Sequence, residues 1–192
     1  PLIRRAEMLA ELMRLKYGIA IAGSHGKTTT TSFLATILSK LEFKPTYIIG
    51  GLVKNLEDNA QIGDGELLVA EADESDGSFL LLNPIMSVIT NIDNDHLDYY
   101  GTIENLKKAF GEFSNKVPFY GLVSLNAHDE ASMELITTLK RPYKIFGIKG
   151  KSTSVDKIDY LAKDIKETEE GASFILVHET EEVAFKIKLN GD

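Results

Sequence analysis

Along the first sixteen positions apolar residues recur at helical spacing, with Ile3, Ala6, Met8 or Leu9, Leu12, Met13 and Leu15 set between charges. This predicts an amphipathic helix over residues 3–16. The pattern then changes. Gly18-Ile19-Ala20-Ile21-Ala22 is an unbroken run of small and β-branched residues, and a short turn from Gly23 to Gly26 separates it from a helical pattern over Thr29 to Lys40. That helix is expected to bury Phe33, Leu34, Ile37, Leu38 and Leu41, and Pro45 closes the turn before a short strand at residues 46–49. Gly50-Gly51 opens a polar connection through Gly65 that has no period and is long enough to wrap over a substrate.

Two apolar runs follow, Glu66 to Ala72 and Ile85 to Ile89, each typical of a strand covered on both faces. A helix is predicted at Thr102 to Phe113, with Thr102 as N-cap and Leu106, Ala109, Phe110 and Phe113 on one face. A strand at Phe119 to Leu125, a helix at Asp129 to Leu139 and a strand at Tyr143 to Phe146 continue the alternation. Such alternation predicts an α/β fold with a mainly parallel sheet flanked by helices. Beyond a seam at Lys149 to Lys157, residues 158–167, 172–178 and 182–189 read as three successive strands forming a small antiparallel sheet at the C-terminal end. Residues 1–192 are therefore taken as one domain: a lead-in helix over 1–16, an α/β core over 17–148 and a peripheral β-rich part over 149–192.

Composition narrows the function. With 192 residues, 43% of them hydrophobic, the chain is long enough to bury a sizeable core. Lys and Arg total 21 against 29 Asp and Glu, a formal charge of −8 without any basic run, which argues against nucleic acid as a partner. The absence of Cys excludes disulfides and thiolate metal sites. No apolar stretch reaches the length of a membrane span and residues 1–16 lack a leader's apolar core, so a cytoplasmic protein without a membrane partner is expected. The start at Pro1 and the stop at Asp192 after a strand pattern suggest a piece of a longer polypeptide.

The chemistry gathers at strand ends. Gly23-Ser24-His25-Gly26-Lys27-Thr28 lies between a predicted strand and a predicted helix, the context of a phosphate-binding loop of P-loop type. Glycine lets backbone N–H groups close around phosphate oxygens, the helix start favours negative charge, and Lys27 adds a point charge. Gly23, Ser24, His25, Gly26, Lys27, Thr28 and Thr29 are the candidate nucleotide contacts, with the Thr28 hydroxyl placed for Mg²⁺. The full G-x-x-x-x-G-K-[ST] motif is not present, because Ile21 stands where its first glycine belongs.

The other buried runs end in Glu71-Ala72-Asp73-Glu74-Ser75-Asp76 and in Asn91-Ile92-Asp93-Asn94-Asp95-His96. In an open parallel sheet these ends share an edge with the loop, where ligands bind. Glu71 with Thr28 suits one Mg²⁺, and His96 with Glu71 suits a second. Against this, an acidic run is often a solvated turn or a helix cap, and a histidine before a leucine is often a core residue. His128 and His178 have weaker claims, and His178, inside a predicted strand, is read as structural.

These residues resemble the central ATP-binding domain of the Mur ligases, on the runs Ala22 to Thr31, Gly50-Gly51, Glu71-Ala-Asp-Glu-Ser-Asp-Gly-Ser-Phe-Leu80 and Thr90-Asn-Ile-Asp-Asn-Asp-His-Leu-Asp98. The similarity extends over most of the chain to about Gly147 and is greatest to the branch that adds L-alanine to UDP-N-acetylmuramate. It implies an ATP- and Mg²⁺-dependent ligase of peptidoglycan synthesis whose N-terminal UDP-binding and C-terminal amino-acid-binding domains lie outside this chain.

Lys27, Glu71 and His96 are then the catalytic candidates. The resemblance makes Lys27 the β/γ-phosphate contact, Thr28 and Glu71 ligands of the nucleotide Mg²⁺, and Glu71 with His96 ligands of a second ion. Asp76 and Asn91 match motif positions and are expected near the substrate. Three departures stand out: Gln61 occupies a place where a basic residue is expected, the metal-bridging lysine of some members has no counterpart, and the adenine-contacting motif would follow Asp192. Alternatives are a muropeptide ligase, a folylpolyglutamate synthase, or a nucleotide-binding module without ligase activity.

Overall fold

In a computed structural model, which describes residues 2–51, 59–169 and 171–188, strand β1 (Tyr17–Ala22) forms the axis of the sheet. It pairs in parallel with β4 (Leu67–Glu71) on one side and β5 (Met86–Ile89) on the other. Successive side chains of a strand point to opposite faces. Ala20 and Ala22 accordingly join Leu68 and Ala70 in the larger core, while Ile19 and Val69 face a smaller one with Ala35, Tyr47 and Ile49. Both faces are covered, which explains why these strands are apolar throughout.

The remaining strands are β2 (Thr46–Ile48), β3 (Ala60–Gln61), β6 (Leu122–Asn126), β7 (Tyr143–Ile148), β8 (Tyr160–Thr168), β9 (Gly171–His178) and β10 (Glu181–Ile187). All belong to one ten-stranded sheet in the order β10-β9-β8-β7-β6-β5-β1-β4-β2-β3. Neighbours from β8 to β2 are parallel, and β10, β9 and β3 are antiparallel to theirs. The C-terminal antiparallel strands are thus continuous with the main sheet, joined where Phe146 to Ile148 of β7 run beside Tyr160 to Ala162 of β8.

Helices α1 (Arg5–Arg14), α4 (Ile103–Asn115) and α5 (Glu130–Glu134) feed the larger core. From α4, Phe110 and Phe113 pack around Phe79, with ring centroids 5.2 and 5.0 Å away. The Thr102 hydroxyl caps α4 as expected, accepting from the Asn105 N–H at 3.3 Å. On the other face lies α2 (Lys27–Lys40), which starts two residues earlier than the apolar pattern suggested, directly after Gly26 at φ +81°. Its Thr-rich start has poor helix propensity. Thr31 and Ser32 hydroxyls bond back to the Lys27 and Thr28 carbonyls at 2.8 and 2.6 Å, which keeps them satisfied within the helix.

Three expectations are corrected in detail. Ile37 and Leu41 are exposed: α2 turns its Thr31–Ala35 stripe inward, two residues beyond Ala35 is about 200° round the helix, and Leu41 lies past its last turn. β6 begins at Leu122 because residues 118–121 form a turn, closed from the Gly121 N–H to the Pro118 carbonyl at 2.9 Å, that leaves Phe119 and Tyr120 exposed. The helix expected to reach Leu139 gives way after Glu134 to a 3₁₀ turn at Leu135–Thr137. In the polar connection, residues 52–58 of the expected wrap lie outside the described residues, and β3 is a pairing that no period announced.

The seam at residues 149–157 is tied to the core. His128 accepts the Ile148 N–H through Nε2 at 2.6 Å and donates from Nδ1 to the Ser152 carbonyl at 2.8 Å, so its neutral tautomer is set by its two partners. His178 stacks on Tyr160 at 4.2 Å and bonds the Asp159 carbonyl at 2.9 Å. Asp159 itself pairs with Lys144 at 2.9 Å and accepts the Ile145 N–H at 2.9 Å. Burial pushes its carboxyl up, but those two donors outweigh burial and hold it below the usual carboxylate range.

A carboxylate depressed in the folded state contributes stability above its unfolded pKa, near 3.9, and loses that contribution as pH falls through the folded value. Asp159→Asn should therefore lower stability in urea unfolding at pH 7, with a deficit that shrinks below about pH 4. An equal deficit at pH 3 and pH 7 would exclude this role.

Candidate active site

Because β5, β1, β4 and β2 are parallel neighbours, their C-terminal ends open on one edge of the sheet. There the Gly23–Gly26 loop, Glu71 to Asp76, Thr90 to His96 and Gly50–Gly51 come together, as the strand-end argument required.

The loop is held chiefly by the exit of β5. Ser24 donates its N–H to the Asn91 carbonyl at 3.0 Å and His25 donates its N–H to Asn91 Oδ1 at 2.9 Å. In return the His25 carbonyl accepts from Asn91 Nδ2 at 3.0 Å and from the Thr90 hydroxyl at 2.7 Å. Gly23 sits at φ +136°, and a Cβ there would stand 2.0 Å from Thr90 Oγ1. Only glycine fits. The N–H groups of Ser24 and His25 are thus engaged, and those left for an anion belong to Gly26 and the first turn of α2, Lys27 to Thr29, which have no partner inside the helix.

Lys27 turns back onto the loop. Its Nζ donates to the Gly23 and Ser24 carbonyls at 2.6 and 3.2 Å and to Glu74 Oε1 at 2.8 Å. Glu74 is fully buried, its Oε2 makes no hydrogen bond, and His96 Nε2 stands 3.7 Å from Oε1. Above it the Tyr100 hydroxyl, at the end of the short helix α3 (Leu97–Tyr100), donates to the Glu74 carbonyl at 2.5 Å. Burial, aided by the neighbouring Tyr99 ring and carboxylates, pushes the Tyr100 phenol up, so it stays a donor.

On the other side of the loop Glu71 Oε1 accepts the Gly50 N–H at 2.8 Å. A Cβ on Gly50 would lie 2.8 Å from Glu71 Oε2, and one on Gly51 would lie 3.3 Å from the Thr28 methyl and 4.0 Å from its hydroxyl. The diglycine therefore borders both Thr28 and Glu71, oxygen donors of the kind Mg²⁺ prefers. His96, by contrast, is brought to Glu74, and no group of three His, Asp or Glu with metal-ligand spacing occurs among the described residues. Its backbone is left-handed at φ +57° at the start of α3.

Asp76 is exposed and accepts the Ser78 N–H at 2.9 Å beside the 3₁₀ turn at Ser78–Leu81; the Ser78 side chain and then its N–H hold the Asp76 carboxyl below the ordinary value. Asn91 uses its whole amide on the His25 backbone. His25 presents Nε2 at 3.5 Å from both Asp93 and Asp95. Gln61 lies on β3, where its Oε1 accepts from the Tyr47 hydroxyl at 2.9 Å. Sequence reasoning passed over Glu74, Thr90 and Tyr100. The sole sequence signal for Glu74 was its membership of an acidic run.

The Mur ligase middle domain matches residues 21–192, and the chain belongs to this family. It is 51% identical over 178 residues, 93% of its length, to the UDP-N-acetylmuramate–L-alanine ligase of Geobacter sp. strain M21, of which it covers 37%. To the enzyme of the same name from Trichlorobacter lovleyi it is 58% identical over 149 residues, 77% of this chain and 33% of that one. Among solved structures, the UDP-N-acetylmuramate-alanine ligase of Thermotoga maritima superposes with a TM-score of 0.79 at 28% identity, covering 97% of this chain and 41% of that one. MurF ligase from Thermotoga maritima, solved in complex with ADP, shares the fold at a TM-score of 0.69 and 19% identity, over 97% of this chain and 45% of that one. The chain thus spans little more than a third of the curated relatives it matches. No helix among the described residues is long and apolar enough to cross a membrane.

The two positive-φ loop glycines should respond differently to alanine. Gly26, with open space where a Cβ would go, meets only the left-handed backbone penalty of about 1 kcal/mol. Gly23→Ala adds a collision with Thr90 and should cost at least about 1 kcal/mol more in chemical unfolding. Equal losses would show that Thr90 does not fix the loop.

Proposed function

We propose that this chain is the nucleotide-binding middle domain of an ATP-dependent ligase joining L-alanine to UDP-N-acetylmuramate in peptidoglycan synthesis. The observation that carries the reading is the meeting of the Lys27 loop, Glu71 with Thr28 across Gly50–Gly51, and His96 on one sheet edge, in a chain 51% identical to a ligase of that specificity. ATP and the two substrates would meet there, in the cytoplasm, with UDP-binding and amino-acid-binding domains supplied by the rest of the polypeptide.

The chain's own groups divide the work. Lys27 and the first-turn N–H groups of α2 would receive the phosphates, and the Asn91 and Thr90 bonds keep the loop open to them. Thr28 and Glu71 are suited to the Mg²⁺ of the nucleotide, and His96 with Glu71 to a second ion; bound there, such ions supply neutralisation of phosphate and carboxylate charge. A carboxylate and a triphosphate repel each other, so this neutralisation and in-line positioning provide most of the rate. The lactyl carboxylate oxygen attacks the γ-phosphorus, ADP departs, and the acyl phosphate is taken by the alanine amine, which loses a proton as inorganic phosphate leaves.

The test is ADP release by the intact polypeptide with Mg-ATP and UDP-N-acetylmuramate while amino acids are added singly. Release that needs the muramyl substrate and prefers L-alanine supports the reading; a requirement for a preformed peptide or a folate points to a sister ligase, and release with ATP alone to a binding module. In that assay Lys27→Ala, Glu71→Ala and His96→Ala should each lower turnover by about a hundredfold or more with the fold intact by circular dichroism. Near-normal turnover in any of them removes that residue from the mechanism.

A further inference from the structure

Lys27 is fully committed in the structure. An ammonium has three hydrogens to donate, and Gly23, Ser24 and Glu74 receive all of them. A phosphate can therefore engage Lys27 only by displacing a partner.

Of those partners Glu74 is the only charged one. Its side chain is fully buried, and among the described residues its second oxygen makes no hydrogen bond and its one other basic neighbour is His96 at 3.7 Å. Half of a buried carboxylate's accepting capacity is thus unmet, an arrangement that costs stability unless another role maintains it. The bond from the Tyr100 hydroxyl to the Glu74 carbonyl anchors its backbone and its side chain is enclosed, so of the pair Lys27 has the more room to move. Lys27 has a long flexible stem and a side chain 16% exposed, already at the mouth of the loop.

We propose that Glu74 is a positioning residue of the nucleotide site: its buried carboxylate holds the Lys27 ammonium against the loop and yields it to incoming phosphates. This rests on the ligase reading and adds a counter-charge to it. Parking keeps a lysine from collapsing into other contacts and aims it across the loop, but it sets phosphate binding in competition with an internal ion pair. Removing the carboxylate's charge ends that competition and also loosens the aim.

The experiment compares the intact polypeptide with Glu74→Gln, measuring ADP affinity without divalent metal by calorimetry, and kcat and KM for ATP in the ligase assay. The neutral amide still accepts a hydrogen bond, but a weaker one. Metal-free ADP should bind several-fold to about tenfold more tightly, the scale of one charge-assisted bond no longer broken. At the same time kcat should fall about tenfold without a rise in KM for ATP. A merely structural Glu74 predicts unchanged or weaker ADP binding and a raised KM, and that result overturns the proposal. Should Glu74→Gln fail to unfold cooperatively, Glu74→Asp is read in its place: it keeps the charge but shortens the arm by one methylene, and it must also tighten metal-free ADP binding for the proposal to stand. An intact wild-type protein that binds no adenine nucleotide removes the ligase reading and this proposal together, whereas wild-type binding unchanged by either substitution removes this proposal alone.

Discussion

The phosphate loop keeps its shape because the exit of one strand grips the exit of the next. Asn91 and Thr90, just past β5, bond the backbone of His25, just past β1. The grip is itself anchored from behind, since Asn126 donates to the Thr90 carbonyl at 2.9 Å and Asp129 accepts the Ile92 N–H at 3.1 Å. A buried backbone needs partners for its polar groups, and a glycine loop has few of its own. The strap from β6 through residues 90–92 supplies them. What it leaves unpartnered among the described residues is the start of α2, including the Gly26 N–H.

Much of this was legible. Central strands covered on both faces write themselves as apolar runs, and the switch from such a run to Gly-x-x-Gly-Lys-Thr at Gly23 marks a strand-to-helix turn regardless of any tertiary contact. The Thr102 cap was equally local. The fate of the acidic run was not. Asp73 and Asp76 are exposed while Glu74 is fully buried, and nothing in the spacing of these carboxylates ranks them. Their burial is decided by α3, which arrives from residues 97–100 to set Tyr100 over Glu74. The continuity of β7 with β8 was hidden for a like reason, because strand register across a seam is a pairing between distant segments.

The site also shows how much depends on side chains that are missing. Gly50 and Gly51 let β2's exit pass close to Glu71 and Thr28, so close that a Cβ at Gly50 would stand 2.8 Å from Glu71 Oε2 and push that carboxylate aside. A carboxylate from the end of β4 and a hydroxyl from the first turn of α2 thereby border one diglycine, with the Lys27–Glu74 pair across the loop. Lys27 and Glu74 neutralise each other on one wall, while Glu71 faces the diglycine on the other.

Finally, the ten strands among the described residues form an open sheet with β3 and β10 at its edges, and an exposed edge is a template for unwanted strand pairing. At one end β3 spans only Ala60–Gln61, too short to recruit a foreign strand. At the other, β10 carries Glu181, Glu182 and Lys186 along an exposed ribbon, so an incoming chain would have to bring charges into register with them. The same sheet that aligns the strand ends for chemistry is thereby guarded against aggregation, by brevity on one flank and by charge on the other.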